Sequence, residues 1–194
     1  MSRETRKART REDIVRRAVE LFKRKGYDQV TVEEITTACG IAKGTFFNYF
    51  PRKEHLLLHL SETYLPLMTA IIERHAEGDW KDRLQRIFSD LTELYFRHYD
   101  LLRRVLAETV RSALEAGEES ANLAVFRNKL ASLLEEGKKT GQVRSEGDAG
   151  SAASVLLALY MSSLLQGKDR DSVMASMRAQ LNTVWEGIGG GKSS

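Results

Sequence analysis

The chain has 194 residues, 42% of them hydrophobic, and a net charge of only +3, enough for one or two domains with a core of their own. Its one cysteine, Cys39, excludes an intrachain disulfide and fits a reducing cytoplasm. The basic start leads into no apolar signal-peptide region, and no run of about 18 apolar residues predicts a membrane span.

Leu, Ala, Glu, Lys and Arg dominate, and no long alternating run rich in Val, Ile or Thr occurs, so the chain reads as all-α. Residues 1–9, MSRETRKAR, have no apolar periodicity and predict a flexible basic arm. Thr10 is the expected cap of a first helix carrying Ile14, Ala18, Leu21 and Phe22 on one stripe and ending at Gly26. Thr31 with Glu34 three residues on is a capping box for a second helix. Its expected buried face is Val32, Ile35 and Ala38, and it stops at Gly40. A short third helix runs from Ala42 or Lys43 to just before Pro51. Two short helices joined by a tight glycine turn predict a helix-turn-helix.

From about Arg52 to Ala76 a long amphipathic pattern follows, with Pro66 inside it as an expected kink. Asp79 caps the next helix, WKDRLQRIFSDLTELYFRHY. Further helices are expected from about Leu101 to Ala116, Glu118 to Lys139 and Asp148 to Gln166. A last one, capped by Asp169 or Asp171, ends near Ile188, and 189–194 form a flexible tail. The expected division is a DNA-binding domain over 1–53 and a second domain of about six helices over 54–188.

Charge is unevenly spread. Residues 1–53 hold 13 Lys and Arg against 7 Asp and Glu, whereas residues 54–194 hold 17 against 20. A basic front on a mildly acidic remainder points to a polyanion partner for the front alone.

The densest stretch is IAKGTFFNYFPRKEHLL, residues 41–57. Phe46 and Phe50 stand four apart and share one face of the short helix, as anchors on the core. Lys43, Gly44, Thr45, Asn48 and in part Phe47 and Tyr49 then point outward. Lysine supplies charge or reaches guanine, glycine lets the backbone approach, threonine and tyrosine hydroxyls reach phosphate, and asparagine pairs with an adenine edge.

The stretch TREDIVRRAVELFKRKGYDQVTVEEITTACGIAKGTFFNYFPRKEHLL resembles the DNA-binding domain of TetR/AcrR-type transcriptional repressors. The matching features are the A..LF...GY of the first helix, the TV.EI...CGI.KGTFF..F block and the closing KE.LL. The resemblance implies a dimeric repressor with three N-terminal helices for DNA and about six more for a ligand cavity and a dimer interface. It further implies that Thr31 caps the second helix and contacts phosphate. Lys43, Gly44, Thr45, Phe47, Asn48 and Tyr49 lie against DNA, and Lys53 holds a phosphate. The chain departs from the family's frequent Ser at Ala42, which removes a cap, and from its frequent Tyr at Phe47.

The expected partners are a double-stranded DNA operator, a second copy of the chain and an unidentified small molecule. The expected cavity walls are Tyr64, Met68, Phe88, Leu91, Tyr95, Phe126 and Tyr160, an apolar pocket with a few hydroxyls. The stretch AASVLLALYMSSLL is apolar on nearly every side and needs cover all round, from a partner subunit or from a central place in a bundle. The resemblance favours the partner.

No nucleophile elbow, phosphate loop or dinucleotide fingerprint occurs, and the chain is not expected to be an enzyme or to hold a cofactor. His55, His59 and Glu62 share one helix face but lack the spacing of a metalloprotease motif, so no metal is expected. The alternative function is a DNA-binding division or nucleoid factor of the same fold without an inducer.

Overall fold

The computed structural model describes residues 3–117, 120–143 and 147–186, and among these every regular element is a helix. In chain order they are α1 (Arg3–Lys25), α2 (Val32–Cys39), α3 (Lys43–Tyr49), α4 (His55–Arg74), α5 (Trp80–Arg97), α6 (Tyr99–Ala116), α7 (Ala121–Lys139), α8 (Ala149–Gln166) and α9 (Arg170–Glu186). The expected helix start at Glu118, the last helix's end near Ile188 and the 189–194 tail lie outside the described residues.

Two compact units emerge. One comprises residues 1–65 and 98–120, the other 66–97 and 121–194. The division falls inside α4, between Leu65 and Pro66. Pro66 is exposed and sits within a continuous helix.

In the first unit α1 packs on α2 and α2 on α3. Ile14, Ala18, Ile35, Phe46 and Leu56 are wholly buried in one cluster that also takes in Leu101 and Val105 of α6. The expected capping box is present. Thr31 Oγ1 accepts from the Glu34 amide at 3.2 Å, and Glu34 Oε2 accepts from the Thr31 amide at 2.9 Å. Gly40 takes the left-handed conformation, φ 64°, that lets its amide reach the carbonyls of Thr36 and Thr37 and closes α2.

Two sequence expectations are corrected here. α1 does not begin at Thr10 but at Arg3, so the described part of the basic arm is helical. Thr10 is an interior residue whose hydroxyl donates to the Arg6 carbonyl one turn back at 3.0 Å. Ala38, expected inside, is exposed.

In the second unit α8 packs against α7 and α9, and α5 against α9. Asp79 opens α5 by accepting from the Lys81 amide at 2.9 Å, and Asp148 opens α8 by accepting from Ser151 at 2.6 Å. Of the two candidates for α9, Asp169 is the cap, accepting from Ser172 at 2.8 Å. α8 is long and apolar enough, by length and composition, to cross a membrane, a test that a core helix passes as well. Here Ala153, Leu156, Leu157, Tyr160 and Ser163 are buried in the unit, while Val155 and Leu165 are exposed.

Candidate nucleic-acid interface

α3 has seven residues, too few to be stable by its own hydrogen bonds. It is held from below. Phe46 is 0% and Phe50 1% exposed. Their ring centres stand 5.7 Å apart, and the Arg11 guanidinium lies 5.6 Å from the Phe50 ring. The other side of the helix is open. Lys43, Gly44, Phe47 and Asn48 are exposed, and Thr45 and Tyr49 are half-buried. The structure thus brings six of the eight sequence-derived DNA candidates onto one short helix.

Gly44 is informative because nothing inside the protein requires it. A Cβ there would meet nothing within 4 Å, and its φ lies outside the left-handed range. Ala42 precedes the helix with no side-chain cap, as the sequence implied.

The two flanking candidates are engaged within the protein. Thr31 is occupied in its capping box. Lys53, half-buried in the turn before α4, donates to the carbonyl oxygens of Tyr27 and Val30, each at 3.0 Å. Its Nζ also stands 4.2 Å from the centre of the Tyr27 ring. Arg104 of α6 approaches the same ring to 5.3 Å and pairs with Asp28. Burial pushes the Tyr27 phenol well above its ordinary range, with the Glu54 carboxylate beside it adding to the effect.

Two acidic residues of α2 pair with the basic residues around it. Glu33 pairs with Lys43 across the turn. Lys25 Nζ lies 2.5 Å from Glu34 Oε1. The Lys43 hydrogen bond holds the Glu33 carboxyl below the usual range. The Lys25 hydrogen bond and then the Thr31 amide do the same for Glu34. Neither pairing was read from the sequence. The ten-residue separation of Glu33 and Lys43 spans the turn, so helical periodicity gives no sign of it.

Cys39 is half-buried, and burial pushes its thiol up, away from the thiolate that redox sensing requires. Among the described residues, no group of three or more His, Cys, Asp or Glu is placed to hold a metal ion.

The seven cavity candidates divide. Phe88, Leu91, Tyr95, Phe126 and Tyr160 are buried in the second unit, with the rings of Phe88 and Tyr160 5.0 Å apart. Thr92 Oγ1 lies 3.4 Å from the Tyr160 hydroxyl, and burial raises that phenol far above its ordinary range. Met68, also of the second unit, is half-buried. Tyr64 belongs to the first unit, its ring 6.1 Å from that of His98.

A groove of about 510 Å³ in the second unit is lined by other residues, among them Ile72, Ala76 and Leu133. Two ion pairs cross it, Lys129 to Glu73 and Arg83 to Glu136, both at 3.4 Å. The i, i+3, i+4 spacing of Val125, Asn128, Lys129 and Ser132 was the available sequence signal for its α7 wall.

Residues 14–60 match the family described as bacterial regulatory proteins, tetR family. The chain is 36% identical over 112 residues to an uncharacterised HTH-type transcriptional regulator, YuxN, of Bacillus subtilis. That alignment takes in 56% of this chain but only 38% of the relative, so the chain spans little over a third of that protein's length. It is 28% identical over 149 residues to the fatty acid metabolism regulator protein of the same organism, across 74% of this chain and 75% of that one. In three dimensions it is similar to FadR of Thermus thermophilus, a TetR-family transcriptional repressor solved in complex with lauroyl-CoA. The TM-score is 0.72 at 25% identity, over 94% of this chain and 97% of that one.

Proposed function

We propose, from the premise that this chain belongs to the TetR family of bacterial regulatory proteins, that it is a ligand-responsive transcriptional repressor. It binds a palindromic operator as a homodimer and is released by a small, mainly apolar molecule. The observation that carries the reading is the two-sided α3. Phe46 and Phe50 seat it, and Lys43, Gly44, Thr45, Phe47, Asn48 and Tyr49 face outward. A glycine with no internal reason, next to a lysine, a threonine and an asparagine, suits a backbone that comes close to a duplex. Thr31 and Lys53 flank this face and add phosphate contacts.

Two recognition helices of a dimer must stand roughly 34–36 Å apart to enter successive major grooves. An effector acts by favouring a spacing that does not fit, to the extent of its differential affinity for the two states. The proposed apolar part of the effector is a long acyl chain, such as the one lauroyl-CoA presents, from the likeness to the T. thermophilus repressor. Supporting this, the interior of the second unit, around Phe88, Leu91 and Phe126, is apolar. The proposed dimer surface is the exposed apolar set Val155 and Leu165 of α8 with Val184 and Trp185 of α9.

The test is selection from a random duplex library, with salt dependence of the winners, followed by titration with lauroyl-CoA. The expected result is an enriched palindrome of two half-sites that the acyl thioester releases. Binding without any enriched motif, on a steep salt slope, would establish the architectural factor instead. Release by sugars or amino acids but not by acyl thioesters would overturn the effector.

A further inference from the structure

In the first unit, two large hydrophobic side chains stand exposed among the described residues, Leu114 near the end of α6 and Phe47 in the middle of α3. A single exposed hydrophobic residue is ordinary and needs no account. Phe47 differs in its neighbours. It lies four residues after Lys43 and three after Gly44, so the three share one side of the helix. Lys43 and Gly44 are exposed too, and a Cβ at Gly44 would meet nothing within 4 Å. The ring therefore stands one turn from exposed backbone that carries no side chain.

The ring is also held. Its centre lies 5.5 Å from that of Phe46, edge to face at 87°, and Phe46 is wholly buried. A phenyl ring braced on a fixed core residue loses little freedom when something docks against it. It has no hydrogen-bonding atom to offer a phosphate or a base edge. What it can offer a duplex is apolar contact. Among the groups that distinguish base pairs in the major groove, one is apolar, the C5-methyl group of thymine.

We propose that Phe47 is a specificity-determining residue that reads the C5-methyl group of one pyrimidine in each half-site. The inference rests on the DNA-binding reading above and deepens it, from a face that touches DNA to a chemical group that one ring selects. Two bases carry that group. Thymine has it, and 5-methylcytosine has it at the same place in the groove, whereas cytosine and uracil present a hydrogen there. Phe47 therefore favours thymine in an unmodified duplex, and the same contact makes binding respond to cytosine methylation. Thr45 also carries a methyl group, but it is half-buried and stands two residues back, on a different side of the helix.

The test uses the full chain and the duplex that wild type selects. Thymines are replaced one position at a time by deoxyuridine, in both half-sites, which removes the methyl group and keeps the base pair. The expected result is one position at which wild type loses affinity about fourfold per half-site, the fold-change that burial of one methyl group corresponds to. Phe47→Ala binds the thymine and uracil duplexes at that position alike, and Phe47→Leu keeps the preference. Each variant is read as a ratio of two affinities, so a general weakening through a less firmly seated α3 cancels. With a C·G pair placed there instead, methylating the cytosine tightens wild-type binding by about the same factor. Four outcomes overturn the proposal: a wild type indifferent to uracil at every thymine, a uracil loss as large in Phe47→Ala as in wild type, a uracil loss abolished by Thr45→Ser, or cytosine methylation without effect. In each of these DNA binding through α3 survives and only the role of Phe47 is lost. If wild type binds no duplex at all, the DNA-binding reading falls and this one falls with it.

Discussion

Lys53 Nζ donates to the Tyr27 carbonyl oxygen at 3.0 Å and lies 4.2 Å from the centre of the same residue's ring. With its second bond, to the Val30 carbonyl, Lys53 ties the turn between α1 and α2 to the start of α4. An ammonium carries three donors, so two serve the fold and one is left for a phosphate. Lys53→Ala therefore acts twice. Leaving two half-buried carbonyls without their donor costs roughly 1–3 kcal/mol, a fall of several degrees in Tm for a chain of this size. Affinity for all duplexes drops, and the salt slope flattens by about one unit for each subunit bound. An unchanged melting curve refutes the structural role, and an unchanged slope the phosphate contact.

Glu33 holds Lys43 in an ion pair at the edge of the proposed DNA surface. Both side chains are more than half exposed, so the pair adds little to stability, but it competes with phosphate for the lysine. Glu33→Gln removes the competitor and a negative charge facing the duplex. The expected outcome is DNA binding several-fold tighter at low salt with Tm nearly unchanged, read by anisotropy and a thermal scan. Weaker binding by the variant would mean that Glu33 positions Lys43 rather than restraining it.

Glu34 is held below the ordinary carboxylate range, first by Lys25 and then by the Thr31 amide. A depressed folded-state pKa contributes stability above the unfolded value, about 4.3 for glutamate, and that contribution is lost as pH falls through the folded value. Stability therefore declines as pH drops from about 5 toward 3. Glu34→Gln flattens that part of the curve of Tm against pH. Identical curves for the variant and wild type in this window would show that the box adds nothing pH-dependent.

Asn48 and Phe46 are two residues apart and belong to different tasks. Asn48→Ala, on the exposed side, leaves Tm unchanged and relaxes choice at one or two base positions in a repeated selection. Phe46→Leu, in the closed core, lowers Tm and weakens binding to every duplex alike. Uniform loss across all sequences from the Asn48 change would remove its base-reading role.

What was legible in the sequence was whatever is local. Thr31 with Glu34, Asp79 and Asp148 mark helix ends through side chains that bond within three residues, Gly40 marks one through its left-handed backbone, and each stands where its pattern put it. The true start of α1 was hidden because apolar periodicity begins only at Ile14, whereas good helix formers (Arg, Glu, Lys, Ala) carry the helix back to Arg3. The break between α5 and α6 falls at His98 alone, without glycine or proline to announce it, and the sequence placed it later. The partners of Lys53 lie 26 and 23 residues upstream and are backbone atoms, so no side-chain pattern records them. The outward face of α3 was legible because Phe46 and Phe50 fix the phase of so short a helix.

That phase has a consequence for how such a protein changes over generations. Anchoring and the proposed reading sit on different residues of α3, and the exposed positions 47 and 48 bear on folding far less than Phe46 and Phe50. On the proposed DNA-binding role, substitutions there alter the address and leave the protein that carries it intact. A duplicated copy of this gene can drift to a new operator one outward side chain at a time, without passing through an unfolded ancestor.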